Sequence, residues 1–294
     1  MIYKKLPILT SLFSFVAFLQ IHAQPTIEGF QAPESIIKHG DKLFVSNIGG
    51  AQFNPTALDS NGFISELSAD GKMLQQKFQK TILNGPKGLA IIKNVLYTAD
   101  INRVVGFNIN SGEQVFEINI SNAAMLNDLC TVDDSRLVVT ESVNGKVYII
   151  NTANNSYDFL GSIGGANGVT YNAKTKQLLA CGMGAQMNGT GKLYVKYIDK
   201  KDTLFNELPN SPTGVFDGLE MIDDTHLLLT DWISFNSEKG RFVVYDLKNH
   251  SVASYPFEAG SADIYYDKAS RKIYDPVLTK NKVMIIDFNS LKKE

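Results

Sequence analysis

From residue 30 onward, apolar residues fall in short β-rich runs separated by clusters of Gly, Asn and Asp, and no long helical period appears. Six segments follow one plan: a small or polar entry, an apolar strand, a short polar turn, and a second strand richer in Leu, Val and Tyr. The first three are PESIIKHGDKLFVSN (33–47), PKGLAIIKNVLYTAD (86–100) and LNDLCTVDDSRLVVTE (126–141). The others are ANGVTYNAKTKQLLACG (166–182), FDGLEMIDDTHLLLTD (216–231) and SADIYYDKASRKIYDPV (261–277). Third strands such as GKVYIIN (145–151), GKLYVKYI (191–198) and GRFVVYDL (240–247) follow, and in most units a fourth.

The entries at 33, 86, 126, 166, 216 and 261 are forty to fifty-three residues apart. Four antiparallel strands at that period make one blade, so the pattern predicts an all-β, six-bladed β-propeller occupying residues 24–294 as a single domain. A β-sandwich would not require six matching entries. The last unit supplies only three strands, while TIEGF (26–30) is a spare strand at the other end. Pairing it into blade six closes the ring and removes a free edge.

Asn is a poor strand former, yet Asn127–Asp128 stands at the head of a strand, and the other entries are similarly polar. Aligned on one position, the entries read Glu34, Lys87, Asn127, Asn167, Asp217 and Ala262. First strands line the channel of a propeller, so these positions meet at one depth on the axis. Glu34, Asn127, Asn167 and Asp217 bring four side-chain oxygens, two charged and two neutral, which suit a hard cation such as Ca²⁺. Mg²⁺ is less apt because it prefers a small octahedral shell with retained water, and the column has no Cys or His for Zn²⁺. Such a shell leaves positions open for water or substrate. The plainer alternative is that the four side chains cap strands or bond one another in a wet channel. Lys87 either stands in for a cation beside Glu34 or extends toward solvent and stabilises a substrate oxyanion. One position on, Asp128 and Asp263 are candidates to orient waters or ligand amides around the site.

The chain starts MIYKKLPILTSLFSFVAFLQIHAQ, two lysines before an apolar run that ends at a small residue, the form of a cleaved signal peptide over residues 1–23. Its apolar run is short and interrupted for a membrane span. Cleavage would leave a periplasmic or secreted protein without stable membrane insertion. Loss of Lys4 and Lys5, with no acidic residue, moves the formal charge from −2 to −4. That balance argues against nucleic acid or an anionic membrane as the main partner, and a small-molecule substrate fits better. Cys130 and Cys181 fall in different repeats and read as buried thiols rather than a disulfide. Nothing in the sequence indicates an oligomeric state.

Glu in a Pro-Glu-Ser entry, followed blade by blade by Asn–Asp, Asn–Gly and Asp–Gly, resembles the gluconolactonase/regucalcin (senescence marker protein) superfamily. Paraoxonase and diisopropyl fluorophosphatase are related to it. The resemblance covers essentially all of residues 30–290. It implies a propeller with Ca²⁺ or another divalent ion in the channel, and hydrolysis of lactones, esters or phosphotriesters there. By position, Glu34, Asn127, Asn167 and Asp217 match the metal-binding quartet, and Asp217 also matches the carboxylate that acts as general base or nucleophile. The chain departs from the paraoxonase branch in its histidines, since His39, His226 and His250 fall in turns on the face opposite the column. The Pro-Lys-Gly entry at 86–88 is also unlike a sugar lactonase.

Long loops between second and third strands, at 47–62, 182–191 and 231–240, lie on the column's face and carry Phe53, Met183, Met187, Trp232 and Phe235 toward its entrance. The alternative is that these side chains simply pack on one another. Gly-Thr-Gly-Lys (189–192) does not complete a phosphate loop, no Gly-x-Ser-x-Gly elbow occurs, and Asp59–Gly62 lacks the spacing of a helix-flanked calcium loop. Two functions follow: a divalent-metal-dependent hydrolase of a lactone or ester, with Asp217 positioning the attacking water, or a non-catalytic ligand- or protein-binding propeller whose channel ion or Lys87 is structural.

Overall fold

The structure, a computed structural model, describes residues 25–50 and 53–293. The segment read as a signal peptide lies outside them. Six antiparallel four-stranded sheets are formed, and each of the first five is built from consecutive strands. Their innermost strands are Pro33–His39, Pro86–Ile92, Leu126–Thr131, Ala166–Asn172 and Phe216–Met221. In blade six the first strand is Tyr265–Asp267, and Ser261 makes a single bridge to Val277 ahead of it. The N-terminal strand Thr26–Glu28 pairs antiparallel with Lys282–Asp287, with Thr26 opposite Met284, and supplies the fourth strand of that blade. The ring closes as the spare strand predicts. Among the described residues no helix is long and apolar enough to cross a membrane.

The core is divided in the same way as the ring. One apolar cluster joins blades two and three through Tyr97, Val104, Leu129 and Leu137. Another joins four and five through Leu179, Phe216 and Tyr245, and equivalent clusters fill the remaining gaps. Alternate residues of each strand therefore face a neighbouring blade, which is why both faces of these sheets are apolar. Cys130 and Cys181 are free, buried thiols within this packing.

The polar entries are β-bulges. In each of the first five blades the ladder slips within the opening residues of the first strand: Leu126 opposes Glu141, while Leu129, three residues on, opposes Val139, only two back. The same slip lies between Pro33 and Ile36, Pro86 and Leu89, Ala166 and Val169, and Phe216 and Leu219. A bulge leaves one residue unpaired and re-aims its neighbour's side chain. Here it frees the residues of the axial column, so a poor strand former is tolerated at that point. Hydroxyls from the second strands then catch the loosened N–H groups: Ser35 N donates to Ser46 Oγ, Asp128 N to Thr140 Oγ1 and Gly218 N to Thr230 Oγ1. Gly168 is required because a Cβ there would stand 2.4 Å from the Asp217 carbonyl oxygen of the next blade.

Candidate functional site

Glu34, Lys87, Asn167 and Asp217, from blades one, two, four and five, line one axial cavity of about 130 Å³. Phe53, Met183, Met187, Trp232 and Phe235 line it too, so the three long loops bring the predicted rim to the predicted column. Asn127 is buried at the matching bulge of blade three but does not line this cavity. Its side-chain Nδ2 donates to Ser142 Oγ at 2.9 Å.

Five buried side-chain atoms among the described residues have no hydrogen-bond partner: Glu34 Oε2, Asn167 Oδ1, Asp217 Oδ1, Trp232 Nε1 and Asp275 Oδ1. Four of them belong to residues lining this cavity. Buried polar atoms are nearly always paired, so this concentration marks a place shaped for something other than the protein's own atoms. Three of the four are acceptor oxygens from three different blades.

The charges tell the same story. Burial, then repulsion from Asp217 and Asp263, drives the Glu34 carboxyl well above its ordinary range, and Lys87 opposes the rise. Burial pushes Asp217 up to about 7, while interactions with Asn167 and Trp232 hold it down. The Trp232 indole thus lies near this carboxylate without closing a well-formed hydrogen bond. Lys87 is brought down to about 8 by burial, against the pull of Glu34 and Asp100. Its Nζ donates to the Pro55 carbonyl at 2.8 Å and the Gly85 carbonyl at 3.0 Å. Lys87 is 2% exposed, so it does not extend to solvent; it stands in the cavity.

A hard cation fits these residues. Glu34, Asp217 and Asn167 each present an unbonded oxygen, and a positive charge would relieve the repulsion between the two carboxylates. Among the described residues no three His, Cys, Asp or Glu side chains gather as a metal cluster, so a cation here would be held by a mixed carboxylate–amide set.

Asp128 and Asp263 do not line the axial cavity. Both line a separate cavity of about 150 Å³ together with Glu220 and Cys130. Asp128 accepts from Leu129 N at 2.6 Å and from Val169 N at 2.7 Å, tying blade three to blade four. Asp263 accepts from Ser35 Oγ at 2.5 Å, tying blade six to blade one. Their contacts are ties between blades, and both border the axial column: Asp263 N donates to the Glu34 carbonyl at 2.9 Å, the Asp263 carboxylate repels Glu34 and Asp217, and Asp128 repels Glu34. Sequence reasoning missed Asp275, a fully buried residue of a second strand whose repulsion with Asp217 marks its nearness to the site. It also missed Ser142; neither residue stands in the entry column.

No protein-family model matches the chain, and no curated protein does. Solved structures do resemble it in fold. Hydrazine synthase of Kuenenia stuttgartiensis aligns with a TM-score of 0.63 at 15% identity, over 93% of this chain and 80% of that one. The β-propeller domain of Myceliophteria thermophila Cps50 (Swd1) gives 0.59 at 8% identity, over 90% and 99%. A chain of a nidogen/laminin complex gives 0.61 at 12% identity, over 89% and 90%. At such identities the likeness is one of architecture, and the class defined is that of six-bladed β-propellers with a polar axial cavity.

Proposed function

We propose that the protein is an exported, divalent-cation-dependent hydrolase of a lactone or ester, with Ca²⁺ as the cation. The observation that carries this reading is the set of three unpartnered, buried oxygens on Glu34, Asn167 and Asp217 in one cavity. Asn127 belongs to the same column but reaches the cation only if its Oδ1 turns inward while its amide stays on Ser142. When bound, the cation supplies Lewis-acid polarisation of the substrate carbonyl and neutralises the paired carboxylates.

The chain's own groups do the rest. Asp217 positions the attacking water and takes its proton as the water oxygen bonds to the carbonyl carbon. When the carbonyl re-forms and the bond from that carbon to the alcohol oxygen breaks, the Asp217 carboxyl returns the proton to the departing oxygen. Glu34 keeps the site negative enough to retain a cation beside Lys87. The Lys87 ammonium has three hydrogens, two of them given to the Pro55 and Gly85 carbonyls, and its third donates to the oxygen on which negative charge develops. Met125, Met183 and Leu278 exclude bulk water from that exchange.

Metal content of the purified protein, followed by assay of a small lactone and an aryl ester with and without chelator, tests the reading. Bound Ca²⁺ and chelator-sensitive turnover lost in Asp217→Asn are expected; a cation-free protein that hydrolyses neither compound defeats it. The position of Lys87 favours a second reading, in which its ammonium is the channel's resident cation and the propeller binds a ligand without transforming it. Full stability in chelator together with inert behaviour toward both compounds would support that one.

A further inference from the structure

The axial cavity shares part of its wall with a neighbouring space. Phe53, Trp232, Phe235 and Leu278 line both, and the second is a hollow of about 690 Å³ above blades five, six and one, a size suited to a small-molecule ligand. Its walls are mainly apolar. Phe53 and Phe235 stay 56% and 53% exposed, and Phe235 meets the Trp232 ring edge-on with centroids 5.9 Å apart. Trp232 therefore faces both spaces, its buried and unpartnered N–H near Asp217 and its ring beside Phe235. A polyhydroxylated sugar would find few partners there: the polar side chains on the wall are Gln31, Thr279 and Asn281, of which Thr279 Oγ1 already donates to the Ala259 carbonyl at 3.5 Å and Asn281 Oδ1 already accepts from Ala32 N at 2.7 Å. Flat apolar surface, by contrast, would cover aromatic rings that the protein leaves uncovered.

We infer that this hollow receives the arm of the substrate, and that the substrate is an ester or lactone bearing an aromatic group of about naphthyl size. The arm lies against Trp232, Phe53 and Phe235 while the carbonyl reaches Asp217. This inference rests on the hydrolase reading for its carbonyl end, and on the hollow alone for its aromatic end.

Trp232 is the only tryptophan in the sequence, so its emission reports this place. Titration with N-(2-naphthyl)acetamide, an unreactive analogue of 2-naphthyl acetate, should quench that emission saturably. Phe235→Ala, made on an exposed loop, should weaken the quench about tenfold and lower the ratio of kcat/KM for 2-naphthyl acetate over δ-valerolactone by a similar factor. Absence of a saturable quench, or an unchanged ratio in Phe235→Ala, overturns the aromatic subsite. Chelator-sensitive δ-valerolactone hydrolysis in that case would leave the hydrolase reading standing. Saturable quenching weakened by Phe235→Ala, without turnover of either compound, would support the subsite and remove the hydrolase.

Discussion

Asn127 gives its side-chain amide to Ser142 Oγ at 2.9 Å, and Ser142 in turn donates to the Ala166 carbonyl at 2.7 Å, so blade three is tethered to the first strand of blade four. Asn167, the matching residue one blade on, has an Oδ1 with no partner at all. Two residues of one column are thus split between holding the ring and facing the cavity. Ser142→Ala should lower the unfolding free energy by about 1–3 kcal/mol, because it strands buried polar groups. Asn167→Ala should weaken Ca²⁺ binding about tenfold or more at much smaller cost to the cation-free fold. Urea melts and calcium titrations of both variants check the division; equal effects on both quantities would refute it.

On the hydrolase reading, Lys87 would oppose the cation from inside the cavity. A unit positive charge beside a divalent ion opposes binding by several kcal/mol at contact range, even with the effective dielectric of a protein. Lys87→Met conserves most of the volume and removes the charge. It should tighten Ca²⁺ binding about tenfold or more and slow ester turnover, as read by titration and by kcat. A variant that loses its fold and binds no cation would instead make the ammonium the structural occupant of the channel.

Asp275 yields a prediction about pH. Burial pushes its carboxyl up to about 7, with the Ser261 hydroxyl pulling the other way from 3.0 Å and the charges of Glu258 and Asp217 adding to the rise. The folded state therefore keeps a proton that the unfolded chain has lost between about pH 4 and pH 7. Stability contributed by this group is full below that window, declines as the pH rises through it, and levels off above. Asp275→Asn removes the ionisation and can still accept from Ser261. Its stability relative to wild type should improve by about 2–4 kcal/mol on going from pH 5 to pH 8. Thermal unfolding at the two pH values in chelator measures this; a pH-independent difference would show that Asp275 ionises normally.

The six entry segments and the spare N-terminal strand suffice to read the architecture, because a repeat near forty-five residues repeats its errors as well as its signals. The rim is legible for a related reason: loops between second and third strands all fall on one face, so Phe53, Met183 and Trp232 had to converge. What escapes is decided across blades. Asn127 and Asn167 look alike in sequence, and only the Ser142 hydroxyl separates their roles. Asp128 and Asp263 follow column residues directly, but both line another cavity, where they bond the backbone and a hydroxyl of the next blade. Asp275 sits within a plain second-strand pattern, and nothing local announces that it is buried without a full set of partners.

The loop that carries Trp232 is held by Asp231, which also secures the approach to Asp217. Asp231 Oδ1 accepts from Val215 N at 2.9 Å and from Ile233 N at 2.8 Å, while Arg241 Nε donates to Oδ2 at 2.8 Å. Asp100 plays the same part in blade two, with Asn84, Gly85 and Arg103 as its partners. The Asp231 carboxylate is fully buried, so its loss strands two N–H groups, while Arg241, 30% exposed and also bonded to the Thr213 carbonyl, loses its ion pair but keeps water as a partner. Asp231→Ala should destabilise the protein by about 2–4 kcal/mol. Asp231→Asn keeps an acceptor for both N–H groups and forfeits only the charge opposite Arg241, so it should cost about half as much. If the residue acts as the anchor of the aromatic loop, Trp232 emission in Asp231→Ala will shift toward that of exposed indole well below the temperature of global unfolding, and Asp231→Asn will restore it. A single cooperative transition in which emission and far-ultraviolet dichroism change together in both variants would mean that Asp231 supports the blade as a whole and has no separate hold on the loop.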